Sequence, residues 1–239
     1  MALLLHLETA TTVCSVALSK DGKLLATRES NEARSHAESI TVFIEEVVSE
    51  AQLSLNDIDA VAVSKGPGSY TGLRIGVSTA KGLCYSLEKP LIAINTLQAM
   101  GYHLCKSVII ENIILSLEKQ QGLLICPMID ARRMEVYSGF YDLNNNTIRE
   151  TSADIIDENS YSSILEKYKV VFCGDGAAKC KPVFEKHPNA IFLDDINPSA
   201  RYMPELAEAA YIKKEFVDVA YFEPFYLKDF FTPPPKNRY

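Results

Sequence analysis

The chain has 239 residues, 47% of them hydrophobic, enough to bury a sizeable core in one large domain or two smaller lobes. Its 31 acidic residues against 24 basic ones give a net charge of −7, which excludes long-range attraction as the means of gripping a polyanion such as RNA. The six cysteines form no C-x-x-C pair and read as reduced core thiols; the start "MALLLHLETATT" lacks a basic region and meets Glu8 too early for a signal peptide or membrane span, so the cytoplasm is the expected location.

In chain order, "ALLLHL", "VCSVALS" and "KLLATRE" read as three antiparallel strands, with Asp21-Gly22 as a hairpin signal. "ARSHAESITVFIEEVVSEAQLS" predicts a helix, with Ser35 and Glu38 as a capping box and Ile40, Ile44, Val47 and Ala51 at helical spacing. Val42, Phe43 and Val48 widen its apolar band beyond one stripe. "IDAVAVSKG" is a fourth strand, "LRIGVSTAKGLCYSL" a second helix and "PLIAI" a fifth strand, giving β-β-β-α-β-α-β. "CKSVIIENIILSLEKQQG" then suggests a connecting helix stopped by Gly122.

The second half repeats the plan in pattern rather than identity. "LLICPMID", "RMEVYSGFYDL" and "NTIRE" are again three strand-like runs, and laying "HLETATTVCSVAL" over "MIDARRMEVYSGF" brings Glu8 opposite Asp130. "VVFCGDGAAKC" mirrors "VAVSKGPGSYTG", each a strand opening into a Gly-x-Gly turn. The expected division is a lobe over 1–104, a second over 105–220 that includes a helix at "MPELAEAAYIKKEF", and a tail over 221–239 that is either a flexible end or a strap across the body.

In "SKGPGSYTGLRIG", Gly66, Gly68, Ser69 and Gly72 form a strand–turn–helix that could cradle a phosphate or simply turn the chain, and Gly174 and Gly176 repeat it. The stretch matches neither G-x-x-x-x-G-K-[ST] nor G-x-G-x-x-G. Glu8 and Asp130 stand where an actin-like phosphotransferase holds a metal–nucleotide complex, although a solvated or capping carboxylate is commoner. His6, His36, His103 and His187 show no ligand spacing, so no protein metal site is expected, and no G-x-S-x-G nucleophile occurs. From Gly72 to Leu87 only Arg74 and Lys81 are charged, so this helix needs cover on both sides: the sheet on one, and on the other the first helix, the other lobe or another chain, of which another chain is the expected contributor.

"ETATTVCSVAL", "SHAESI", "VAVSKGPGSYTGLRIGVSTAKGL", "PLIAINTL", "IDARRMEVY" and "EPFYLKD" together resemble the TsaB (YeaZ) family, whose members serve the formation of threonylcarbamoyladenosine in tRNA. The resemblance implies an α/β, actin-like (ASKHA, ribonuclease H-like) fold of two similar lobes, each a mixed sheet flanked by helices. It implies a non-catalytic, activating scaffold that pairs with the transferase TsaD and recruits the ATPase TsaE, reaching tRNA only through the complex; from the residues themselves, the apolar helix pair is expected to pair with a second copy when the chain is isolated, and no membrane contact is expected. The partner interface is expected at His36, Ile40, Phe43, Val47, Tyr70, Arg74, Val77 and Lys81. No cofactor is required by the chain itself, with ATP or ADP and Mg placed at the complex interface. TsaD-like chains carry an H-x-x-x-H metal motif after the fifth strand, where this chain has Thr96 and Met100, which cannot replace histidine ligands. Glu8 also departs from the aspartate usual in the family's first turn, and its extra methylene counts against a metal geometry there. The competing reading is an independent actin-like ATPase or kinase; a glycoprotease finds no support in the motifs.

Overall fold

The computed structural model describes residues 2–31, 36–116 and 122–228. β1 (Leu3–Glu8), β2 (Cys14–Lys20) and β3 (Lys23–Ser30) form an antiparallel meander, followed by α1 (His36–Glu50), β4 (Ala60–Gly66), α2 (Tyr70–Leu87) and β5 (Leu91–Asn95). After α3 (Thr96–Cys105) and α4 (Val108–Leu115) the same order returns: β6 (Gly122–Asp130), β7 (Glu135–Tyr141), β8 (Thr147–Ile155), α5 (Ser162–Leu165), β9 (Tyr168–Cys173), α6 (Asp175–Phe184) and β10 (Ala190–Leu193). The spatial orders are β3-β2-β1-β4-β5 and β8-β7-β6-β9-β10, each with three antiparallel strands and then two parallel ones. Two sheets with this shared order constitute the actin-like, two-lobed architecture.

Alternation along the strands sorts side chains between three cores. Leu3, Leu5 and Leu7 of β1 face outward under α1 and α2, beside Val16, Leu18, Val61 and Val63. The opposite parity, Leu4, His6 and Glu8, faces inward. There Leu4, Ala62 and Ile92 share one core with Leu123, Ile125 and Ile129 of the second sheet. The second sheet's outer face, Leu124, Cys126, Met128 and Phe172, packs under α6 through Ala177, Cys180 and Phe184. The last helix among the described residues, α7 (Pro204–Lys213), packs against β5, β1, β2 and β3, and its Ala207 and Ala210 join the shared inner core.

Several expectations change. Gly122 opens β6 rather than stopping a helix, and the described part of the connecting helix is α4, capped by Ser107, whose side chain accepts from the Ile110 N–H. The helix over Thr96–Cys105 was not foreseen; Asn95 caps it through the Gln98 N–H, directly at the end of β5 with no turn signal between them. α2 begins at Tyr70, earlier than its apolar periodicity suggested, because Ser69 caps it. Ser35, the expected partner of Glu38 in a capping box, lies outside the described residues. Where the first lobe has a fifteen-residue α1, the second has a four-residue α5.

The end of the described chain is a strap. Val217 donates its N–H to Leu91 O at 2.9 Å, Lys81 Nζ donates to Ala220 O at 2.9 Å, and the Phe225 N–H donates to Lys65 O at 2.7 Å. Lys228 then reaches the second lobe, donating to Ala131 O at 3.2 Å and pairing with Glu135.

Candidate functional site

The turn after β4 sits directly on the turn after β1. Gly66 has φ +104°, a left-handed backbone that favours glycine. A Cβ at Gly68 would lie 2.2 Å from Ala10 O, and one at Gly72 would lie 2.1 Å from Thr9 O, so only glycine lets the two backbones meet. The Ser69 N–H donates to Ala10 O at 2.6 Å, and Thr9 Oγ1 donates to Gly72 O at 2.8 Å. One small residue per turn at Gly68, Gly72 and Gly76 therefore seats the first half of α2 on Thr9 and Ala10.

Glu8 ends β1 and is 1% exposed. Desolvation pushes its carboxyl up to about 7, opposed by hydrogen bonds from the Ala10 N–H and Ser64; the charge of Glu29 adds to the rise. Ser64 in turn bonds Thr96, so the carboxyl belongs to a buried hydroxyl chain. A site for Mg²⁺ and phosphate needs a solvated or multiply bonded carboxylate facing open space. Here the carboxyl is enclosed and the gap between its turn and the glycine loop is closed by backbone contact, so these residues do not fit a metal–nucleotide complex.

The second lobe repeats the geometry and not the environment. Asp130 ends β6 as Glu8 ends β1, and Gly174 precedes α6 with φ +96°, as Gly66 precedes α2. A Cβ at Gly174 would lie 2.1 Å from Met128 O, and one at Gly176 would lie 2.8 Å from the Ile129 carbonyl carbon. Asp130 is exposed and pairs with Lys179 at 2.5 Å. Desolvation raises its pKa, but bonds from Lys179 and the Arg132 N–H outweigh it and hold the carboxyl below its usual value. The N-terminus of α6, where an anion would be welcome, already carries Asp175, which accepts from the Asp130 N–H at 3.0 Å.

Thr96 and Met100 are 1% and 0% exposed in α3, inside the core. His6 is fully buried and held near a pKa of about 3 by desolvation, with Nε2 bonded to Ser19 Oγ. Among the described residues, no three His, Cys, Asp or Glu side chains come together in a way that could hold a metal ion.

The outer face of α1 and α2 is different. Two neighbouring grooves of about 490 and 430 Å³ run along it; Thr41, Ile44, Glu45, Val48, Thr79 and Leu83 line the first, and Tyr70, Arg74, Ile75, Ser78 and Thr79 the second. The expected interface residues divide in consequence. Ile40, Val47 and Val77 are 1%, 0% and 4% exposed and belong to the outer core, so they cannot be presented to a partner. Phe43 is half-buried against that core, and His36 bonds Thr11 O through Nε2 at 2.7 Å. Lys81 donates to the strap, and Tyr70 carries Arg74 over its ring on one side and Tyr226 at 4.9 Å between centroids. Sequence reasoning missed Thr9 and Ala10, which the four-residue glycine spacing could have signalled, and Thr41, Ser78 and Thr79, whose polarity hid their place in a groove.

The fold and this arrangement define an actin-like protein whose first-lobe glycine loop serves helix seating. Residues 23–231 match the family model described as TsaD, tRNA N6-adenosine threonylcarbamoyltransferase. The tRNA threonylcarbamoyladenosine biosynthesis protein TsaB of Haemophilus influenzae is 32% identical, over 95% of this chain and 93% of its own. A transferase of Staphylococcus haemolyticus is 38% identical, but over 39% of this chain and 32% of its own. The solved structure of YeaZ from Pseudomonas aeruginosa superposes with a TM-score of 0.73 at 26% identity, covering 95% of this chain and all of that one. The chain belongs to the TsaB (YeaZ) family of tRNA threonylcarbamoyladenosine biosynthesis proteins. No helix among the described residues is long and apolar enough to cross a membrane.

Proposed function

We propose that the chain is a non-catalytic, activating subunit in the formation of threonylcarbamoyladenosine in tRNA. It pairs with the transferase TsaD through the α1–α2 face, TsaE joins the pair, and tRNA is engaged within that assembly. The observation that carries this reading is a contrast within one segment. The glycine loop is closed against Thr9 and Ala10, while the helix it launches borders two open grooves at the surface. A helix with few charges beside an apolar groove suits a protein partner, and the same face would pair two copies when the partner is absent. The chain needs no cofactor of its own on this reading, and ATP or ADP with Mg would sit where the subunits meet.

The buried Thr96 and Met100 take the places where the transferase resemblance would put metal-binding histidines. This removes the ligands that catalysis of that kind requires. Reconstitution tests the proposal: TsaD, TsaE and unmodified tRNA with this chain should form threonylcarbamoyladenosine. The mixture without the chain should be strongly impaired, and the chain alone should be inactive. Modification by the chain alone, or full activity without it, would refute the scaffold role.

A further inference from the structure

The hairpin between β6 and β7 turns through Arg132 and Arg133, which both have left-handed backbone, φ 69° and 50°. Glycine or asparagine takes that region with least strain, and an arginine stays there only when its surroundings over-determine it. They do so here. Lys179 Nζ donates to Arg133 O at 2.8 Å and Glu135 O at 2.6 Å, and the Glu135 N–H donates to Arg132 O at 3.2 Å. Lys228 Nζ donates to Ala131 O at 3.2 Å, and the Ile156 N–H donates to Met134 O at 2.7 Å. Asp130 Oδ1 accepts from the Arg132 N–H at 2.6 Å. Every carbonyl from Ala131 to Glu135 thus has a donor, so the turn is held by hydrogen bonds at each of its residues.

The charges are arranged as selectively as the backbone. Lys179 pairs with Asp130 and Lys228 with Glu135, so these two carboxylates flanking the turn in sequence are each paired with a lysine from α6 or from the strap. Arg132, Arg133 and Met134 are consecutive exposed residues; neither guanidinium makes a hydrogen bond or ion pair among the described residues, although the charge of Arg132 is felt by Asp130 and Tyr137. A chain of net charge −7 thus presents two exposed guanidinium groups on one hairpin tip, with Asp130, the carboxylate that Arg132 acts on, already paired with Lys179. The planar fork of arginine matches phosphate oxygens.

We propose that this hairpin tip contacts the phosphodiester backbone of the tRNA, a contact that rests on the reading above that the chain works inside a tRNA-modifying assembly. The net negative charge prevents the tip from recruiting RNA at a distance. It acts as a positioning contact once the assembly holds the RNA. RNA is favoured over a free nucleotide because the loops that would enclose one are closed by backbone contact at Gly68 and Gly174.

The test is binding of unmodified tRNA to the assembly of this chain with TsaD and TsaE, with the wild-type chain and with Arg132→Gln/Arg133→Gln, after sedimentation has shown that both assemble equally. The double variant should bind on the order of tenfold more weakly at about 150 mM salt, with the slope of log affinity against log salt reduced by about 1 to 2. Arg132→Lys/Arg133→Lys should recover most of the loss. Unchanged affinity and slope would overturn the proposal, as would a loss confined to ATP or inorganic phosphate binding, which would make the tip a free-phosphate site. If the wild-type chain fails to join the transferase, the proposed function falls. The contact, which requires the assembly to hold the RNA, falls with it in that case, whereas equal assembly with unchanged tRNA affinity overturns the contact alone.

Discussion

Glu8 and His6 lie two residues apart on the inward face of β1, both enclosed, and they pull stability in opposite directions as pH changes. Burial raises the Glu8 carboxyl from 4.5 to about 7, so the folded chain holds the proton more tightly than the unfolded one. The stabilisation is complete below about pH 4.5 and is lost as pH rises toward 7. Burial lowers His6 from 6.5 to about 3, so the unfolded chain takes up the proton first and stability rises with pH between those values. Wild type should show a shallow profile between about pH 4.5 and 6.5, where the two oppose each other. Glu8→Gln should leave stability rising across that window, and His6→Gln, which keeps a partner for Ser19, should leave it falling. Each effect should be on the order of 3 kcal/mol. Urea unfolding at four or five pH values reads this directly. Parallel profiles for all three proteins would show that neither group is desolvated as the fold places it.

At the scale of elements, the grooves make a sharper test of the partner face than any residue singled out by periodicity. Ser78 and Thr41 line the two grooves and are exposed, so Ser78→Arg or Thr41→Arg adds bulk and charge where no core contact is lost. Either should leave the melting temperature within about 2 °C of wild type, as exposed substitutions generally do. Co-purification with TsaD should nevertheless fall at least about tenfold, since a buried unpaired charge costs several kcal/mol at an interface. Undiminished pull-down by both variants would remove this face from the interface. Val77→Glu, by contrast, should unfold the first lobe, because Val77 is in the outer core.

This contrast shows what the sequence could reveal. Helical spacing correctly put Ile40, Ile44 and Val47 on one side of α1, and that is the side facing the sheet. Of the residues that broadened the band, Val48 is buried and Phe43 half-buried, leaving Val42 as the exposed one at 49%. Periodicity reports an apolar face without saying what covers it. A groove lined partly by Thr41, Ser78 and Thr79 leaves only a broken hydrophobic trace in the sequence.

For the whole molecule, the duplicated plan was legible because each lobe repeats a local order, with Glu8 and Asp130 ending matched strands. The routes of α7 and the strap were not, since their contacts join residues far apart in sequence, such as Val217 with Leu91 and Lys228 with Glu135. The strap links these distant parts into one structure. Val217, Val219 and Phe222 pack partly buried against the outer core of the first sheet, Lys81 holds two strap carbonyls, and Lys228 crosses to the second lobe. Burial of three half-covered apolar side chains gives about 1 kcal/mol each, and regained chain entropy offsets part of the sum on removal. Ending the chain after Lys214 should therefore lower stability by about 2 kcal/mol, or roughly 4 to 8 °C in melting temperature for a protein of this size. Lys228→Ala, which cuts the tie to the second lobe at a half-exposed ion pair, should lower it by less than about 1 kcal/mol. The truncated chain should also lose the Tyr226 ring from Tyr70 at the mouth of the second groove. Binding of TsaD should then change with truncation and stay constant with Lys228→Ala. Equal melting and equal TsaD binding in all three chains would mean that the strap neither stabilises the fold nor shapes the partner face.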